Sequence, residues 1–302
     1  CGAVGSACIQ AVMMRNCANE IVILDKNSKR ATAIATDMGY GLSLTQCNSI
    51  IDGDYTDLIN ADLVMITAGV NEKTGGATDR NDPNGRLRLL STNAQVYEEI
   101  VPQIMKVAPE TVILVVTDPP DPLAMITRQI TGHDRVLSTG TFLDSLRFRT
   151  HVGRYFGVNP RSVNAQVLGE HGTSEVFVWS TVSIGGMPLQ SLLQQHKVDI
   201  HTFQQQIEQA VRYANITIIE GNNASQYGIG MVAARIAEMV LRDEKVVIPI
   251  GSYIEKYDAT LSLPSLIGRQ GVIQTYEPTM SPQETAALQA SADKIKQSLV
   301  GI

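Results

Sequence analysis

No cysteine occurs after Cys47. The four present, Cys1, Cys8, Cys17 and Cys47, include no C-x-x-C pair, so no disulfide framework is indicated and no bound metal is expected. Also missing is any apolar run long and uninterrupted enough to span a bilayer, and the visible start carries no secretory leader. The expected compartment is the cytoplasm. Basic residues are in deficit: the formal net charge of -6 argues against general affinity for nucleic acid or an acidic membrane. Internal repeats and low-complexity tracts are absent as well. What remains is an ordinary composition, 302 residues with 44% hydrophobic and 18% charged content, enough to bury a large core and divide into two domains.

The amino-terminal segment reads as half of a dinucleotide site. Cys1-Gly2-Ala3-Val4-Gly5-Ser6 opens an apolar helical run ending near Asn19, and Ile21 to Asp25 reads as a buried strand with an acid at its carboxyl end. Gly2 would let the backbone approach a pyrophosphate, Gly5 would let the helix pack close to the sheet, and the helix start would favour phosphate charge. Asp25, about twenty residues past the glycines, is placed to accept from a ribose 2′-hydroxyl and to repel a 2′-phosphate. NAD is therefore expected over NADP. A complete fingerprint has an apolar strand and one more glycine before Cys1, and that strand is central in a doubly wound sheet. Residues upstream of Cys1 are accordingly expected.

Further along, Leu63 to Thr67 and Thr111 to Thr117 read as buried parallel strands ending in small or polar residues, where an open α/β sheet places its ligand. A polar stretch from Val70 to Gly85 is long enough to suggest a lid, and a helical pattern follows from Arg86 to Val107. After Val136-Leu137-Ser138-Thr139 the pattern changes to longer helices and to alternating strands at Ser162 to Leu168 and Glu175 to Ile184. Two domains, 1–137 and 138–302, are expected, with a closing surface helix over Ser281 to Leu299.

Gly169-Glu170-His171-Gly172 places a histidine between glycines on a loop that can approach a ligand closely. Spacing alone leaves His171 open between a surface residue and a proton donor. Leu143 to Arg149 supplies a carboxylate, Asp144, that could hold the imidazole, and two guanidiniums, Arg147 and Arg149, that could bind anions. Asp144 and Arg147, three apart on a helix, could equally form a surface ion pair. Arg86 reads either as a solvated helix-start residue or as part of the site.

Taken together, Gly2-Ala3-Val4-Gly5, Thr67-Ala68-Gly69, Asp-Pro-Pro-Asp at 118–121, Gly140 to Ser145 with Arg147, and Gly169 to Gly172 resemble the L-lactate/malate dehydrogenase family, nearest its L-lactate and L-2-hydroxyisocaproate branches, across essentially the whole chain. The resemblance implies a Rossmann-type doubly wound parallel sheet, its first strand absent from this chain, followed by a mixed α/β substrate domain in a homodimer or homotetramer. It also implies cofactor contacts from Gly2, Val4, Gly5, Asp25, Thr67, Ala68, Gly69 and Thr139. In the implied reaction Arg147 binds the carboxylate of a small 2-oxo acid, Arg86 polarises its carbonyl, and His171, oriented by Asp144, moves the proton.

Three positions depart from the family pattern. Asp118 stands where asparagine is usual beside the substrate carbonyl, and an ionised aspartate cannot donate a hydrogen bond. The loop from Val70 to Gly85 is long, so Lys73 and Arg80 compete as the residue that sets specificity. Ser225 stands where threonine commonly lines the substrate pocket. The expected function is an NAD-dependent oxidoreductase of L-lactate dehydrogenase type. Alternatives are a malate or L-2-hydroxyisocaproate enzyme, or an NAD-binding paralogue weakened by Asp118.

Overall fold

The structure is a computed structural model that describes residues 1–75, 77–79, 81–82 and 85–302. The first half contains α1 (Ala3–Arg15), β1 (Glu20–Ile23), α2 (Ser28–Gly39), β2 (Ser49–Asp52), β3 (Leu63–Ile66), α3 (Leu90–Val107), β4 (Val112–Val115), α4 (Pro120–Thr131) and β5 (Val136–Ser138). The second runs through α5 (Phe142–Phe156), short strands β6 (Val163–Asn164), β7 (Val167–Leu168), β8 (Val176–Phe177), β9 (Ser183–Ile184) and β10 (Met187–Pro188), then α6 (Leu189–Gln195) and α7 (Ile200–Arg212). It ends with α8 (Ala214–Asn222), α9 (Tyr227–Leu241), the hairpin strands β11 (Val246–Ile254) and β12 (Ala259–Gly268), β13 (Gly271–Thr275) and α10 (Pro282–Ser298).

β3, β4 and β5 are parallel neighbours, and β11, β12 and β13 extend the same six-stranded sheet in antiparallel fashion through the Gly251–Ser138 pairing. β1 and β2 pair in parallel with each other as a separate two-stranded sheet, not hydrogen-bonded to β3. The continuous apolar run of β4 has a simple cause: both of its faces are covered. Val112 and Leu114 enter one core cluster with Phe142 and α9, whereas Ile113 and Val115 enter another with α3 and α4. The α/β architecture expected from the sequence is thus present.

Local chemistry explains where elements stop. Asn16 adopts the left-handed conformation (φ 52°) and ends α1 at Arg15, short of the Asn19 suggested by apolar pattern alone. The helical pattern from Arg86 begins as a 3₁₀ turn, Gly85–Leu89, before α3. The extended stretch expected over Ser162 to Leu168 is two short strands, and that over Glu175 to Ile184 is interrupted by a 3₁₀ turn at Trp179–Thr181. α1 and α9 approach closely because a Cβ at Gly230 would lie 2.8 Å from the Ala7 carbonyl carbon. α10, expected to be a surface helix packed on its apolar stripe, buries Leu288, Ala292 and Ile295 along that stripe.

Candidate active site

The carboxyl ends of β1, β3, β4 and β5 converge on one side of the sheet and carry most of the residues singled out in the sequence. Gly2 is the residue before α1, and a Cβ there would meet no atom within 4 Å. Gly5 is different. A Cβ on it would stand 2.8 Å from Thr67 Oγ1, so its absence lets α1 sit against the end of β3. Val4 packs against the core, the Ala68 carbonyl accepts from Thr117 Oγ1 at 2.8 Å, and the Thr139 amide donates to the Val115 carbonyl at 3.0 Å. Asn93 ties these strand ends together by accepting from the Val70 amide (2.8 Å), just after Gly69, and donating to the Asp118 carbonyl (2.7 Å). Asp25, at the end of β1, accepts from the Asn27 amide at 2.8 Å and from the Cys1 amino group. An open helix start, small residues and a carboxylate past β1 fit a dinucleotide: the pyrophosphate against Gly2 to Gly5 and a ribose against Asp25.

The catalytic candidates are brought in from the second half. The Val167 amide donates to Ser145 Oγ (2.9 Å), and Gly169 pairs with Ser262 of β12 through its amide (3.0 Å) and carbonyl (2.9 Å). The 169–172 loop is thereby held beside α5. The His171 amide donates to Asp121 Oδ2 at 2.7 Å, and Asp121 also accepts from Ser138 Oγ. Sequence reading gave Asp121 no role beyond its place in the 118–121 motif, although it is fully buried and burial pushes its carboxyl up to about 6.

His171 Nδ1 donates to Asp144 Oδ2, and Arg147 Nη1 donates to Asp144 Oδ1 at 3.0 Å. The Asp144–Arg147 pair is therefore interior, with side-chain exposures of 2% and 13%, and not a solvated surface pair. Burial disfavours the Asp144 carboxylate, but His171 and Arg147 outweigh it and hold its pKa well below the carboxylate range. For His171, burial opposes protonation; the Asp144 charge overcomes it and raises the imidazole pKa. His171 Nε2 is left facing Asp118, 3.8 Å from Oδ1.

Arg86 also enters the site. Its Nε lies 3.4 Å from Asp118 Oδ2 and 3.1 Å from Glu72 Oε1, and although burial opposes the charge, Asp118 and Glu72 raise its pKa further. Burial raises the Asp118 pKa; Arg86 opposes that and Glu72 adds to it. Glu72 is the loop residue that sequence reasoning missed. Lys73, its rival by position, points elsewhere and donates to Asn223 Oδ1 at 2.6 Å, while Arg80 lies outside the described residues. So do Gly76, Pro83 and Asn84 of the same loop. Ser225 sits half-buried between α8 and α9, with no hydrogen bond joining it to His171 or Arg86 among the described residues.

Glu175 was also missed. It is buried, its Oε1 has no hydrogen-bond partner among the described residues, and burial followed by the Asp144 charge pushes its carboxyl up to about 8. Asp144, His171 and Glu175 bring one ligand-type atom each within 4.8 Å of one another. Two of these already bind each other, and a protonated carboxyl is a poor metal ligand. The grouping is a hydrogen-bonded carboxylate–imidazole pair with Glu175, whose neutral form burial favours, beside it.

Residues 1–137 match the lactate/malate dehydrogenase NAD binding domain, and residues 141–301 match the lactate/malate dehydrogenase alpha/beta C-terminal domain. The chain is 37% identical to an L-lactate dehydrogenase of Chloroherpeton thalassium, covering 100% of this chain and 97% of that one. It is 36% identical to one of Deinococcus radiodurans, covering 98% and 95%. Among solved structures it is similar to the minor L-lactate dehydrogenase of Enterococcus mundtii, with TM-score 0.91, 33% identity, and coverage of 100% and 96%. No helix among the described residues is long and apolar enough to cross a membrane. The chain belongs to the lactate/malate dehydrogenase family and uses NAD as its cofactor.

Proposed function

We propose that the protein interconverts a small 2-oxo acid and the corresponding L-2-hydroxy acid, as an L-lactate dehydrogenase does. The observation that carries this reading is His171, bonded through Nδ1 to Asp144 with Nε2 facing Asp118 at 3.8 Å and the Arg86 charge acting on the ring. Bound NADH supplies the hydride. Arg147 holds the substrate carboxylate with the guanidinium edge not used by Asp144, which sets the carbonyl face presented. Arg86 draws charge onto the carbonyl oxygen, and His171 delivers the proton from Nε2 while Asp144 stabilises the imidazolium. In the oxidation direction neutral His171 is the base. Asp118 and Ser225 complete the substrate side. Gly2, Val4, Gly5, Asp25, Thr67, Ala68, Gly69 and Thr139 form the cofactor side, within an NAD-binding domain of residues 1–137 and a substrate domain of 138–302.

The same reading includes a homodimer or homotetramer in the cytoplasm with no nucleic-acid or membrane partner. NADH oxidation measured side by side with pyruvate, oxaloacetate and 2-oxoisocaproate tests it and separates lactate, malate and isocaproate types. Consumption of none of the three by protein that still binds NADH would leave an NAD-binding paralogue weakened at Asp118.

A further inference from the structure

Glu175 stands beside the catalytic pair and has no part in the reaction above. The backbone fixes it there: Leu168 of β7 pairs with Val176 of β8, closing residues 169–175 into a loop, and the Glu175 amide donates to the Gly172 carbonyl at 3.3 Å. His171 and Glu175 are thus held on one short loop. A carboxylate oxygen of Glu175, one of Asp144 and a ring nitrogen of His171 all lie within 4.8 Å of one another. Glu175 is only 6% exposed, and its Oε1 meets no hydrogen-bond partner among the described residues. A buried acid that served packing or capping would engage its oxygens with donors; this one leaves an oxygen unengaged close to an imidazole.

The charges that face Glu175 have other engagements. Arg212 of α7 donates to the Thr173 carbonyl and lies 3.8 Å from Glu208, Arg147 of α5 donates to Asp144, and Arg86 lies against Glu72 and Asp118. On the same loop Glu170 accepts from Ser174 Oγ and lies 3.9 Å from Lys294 of α10, while Asp121 of α4 accepts from Ser138 and from the His171 amide. Burial and the Asp144 charge outweigh Arg212, His171 and Arg86, so the Glu175 carboxyl is pushed up to about 8. His171 is shifted upward as well, by Asp144. At this separation the two cannot titrate independently, because the charge on one sets the field at the other.

Resting on the dehydrogenase reading, we infer that Glu175 is a positioning residue for the proton of His171: it ionises ahead of the imidazole as pH rises, and the carboxylate so formed holds the imidazolium that reduction requires into the alkaline range. The step moves one proton from the Glu175 carboxyl to water and breaks no other bond. Before it, Asp144 is the carboxylate that offsets the imidazolium; after it, Glu175 adds a second negative charge, whose burial Arg212 and Arg86 partly compensate. Proton delivery to the substrate stays with His171 Nε2.

The test follows His171 in the full chain by NMR of histidine carrying a carbon-13 label at Cε1, with the signal assigned by its loss in His171→Asn. In the unmutated protein that signal should show a small step near pH 8, as Glu175 ionises, and a larger one at higher pH as the imidazole loses its proton. Glu175→Gln, isosteric with the protonated acid and uncharged, should abolish the first step and bring the second to lower pH by about half a unit or more. In NADH oxidation with pyruvate, the ratio of kcat/KM at about pH 9 to that at about pH 6.5 should fall about threefold or more in the variant, the titration of Asp118 being common to both proteins. Absence of the first step in the unmutated protein overturns the inference, and that result does not depend on any variant folding. So does a first step that survives in Glu175→Gln, since it would belong to Asp118, 3.8 Å from Nε2. Loss of rate by the same factor at every pH overturns it too, because packing alone acts that way. Failure to reduce pyruvate, oxaloacetate or 2-oxoisocaproate at any pH sinks the dehydrogenase reading itself, whereas turnover with a single His171 step sinks the inference alone.

Discussion

Replacing Asp118 by asparagine should make the enzyme faster on pyruvate. In the structure Asp118 Oδ1 lies 3.8 Å from His171 Nε2, so the carbonyl oxygen that His171 protonates must come within contact of this carboxyl group. An ionised Asp118 would then face the growing negative charge of the reduced carbonyl. Two unit charges about 4 Å apart at an effective dielectric near 20 interact by about 4 kcal/mol. The Asp118 side chain is 26% exposed and Arg86 stands 3.4 Å away, so we discount that figure by roughly two thirds for solvent and counter-charge. What is left, about 1.4 kcal/mol, is a factor of about ten in rate. The amide introduced by Asp118→Asn would carry no charge and would donate a hydrogen bond.

The sign of the pH effect follows from the direction of the shift. Burial raises the Asp118 pKa, so the neutral, donating acid is more populated than for an ordinary aspartate and grows as pH falls. The parent kcat/KM for pyruvate should therefore rise from about pH 7.5 towards acid, and the Asp118→Asn variant should exceed the parent by about tenfold or more at the upper end and by less as pH falls and Asp118 of the parent becomes neutral. Steady-state kinetics across pH, with NADH affinity measured by fluorescence as a control, reads both effects. A variant no better than its parent, with an unchanged pH profile, would refute the reasoning.

His171→Asn should lower kcat for reduction by about a thousandfold and leave NADH binding within a small factor, because the imidazole acts on substrate and not on the dinucleotide; stopped-flow and titration separate the two. For Asp144→Asn, burial would depress the His171 pKa without the carboxylate that now raises it, so the alkaline limb of the reduction profile should move to lower pH by about one unit or more; a limb that stays put would mean Asp144 does not set the titration. Arg147→Lys should raise KM for pyruvate far more than it lowers kcat, since an ammonium cannot reproduce the fork that binds Asp144 and a carboxylate together. Asp25→Ser should narrow an NADH over NADPH preference of about tenfold or more in kcat/KM, and equal use of both cofactors by the unmutated protein would contradict the role of that carboxylate.

Local chemistry made much of this protein legible in its sequence. The apolar runs of β3 and β4 and the acid after β1 identify parallel strands with a ligand edge, because a strand buried on both faces needs apolar residues at every position and because a parallel sheet leaves its loops at one end. His171, Asp144 and Arg147 were visible as a set because residue type and spacing carry their chemistry, and the family resemblance selected the catalytic reading over the surface one. The tertiary structure alone decided that Asp144 and Arg147 form an interior pair, since an i,i+3 spacing is the same on an exposed face as on a buried one. It also decided the fate of the long loop. Glu72 is held by Asn215, 143 residues further along, and no periodicity near Glu72 reports that α8 will pack there and turn a loop acid into part of the site while Lys73 turns away. Glu175 has the same character: an ordinary glutamate in sequence becomes a largely neutral acid only because the fold removes water from around it and places Asp144 nearby. Residue identity sets which chemistry is available, whereas desolvation and long-range proximity, which depend on the packing of distant elements, set which groups are charged, which are paired and which face the substrate.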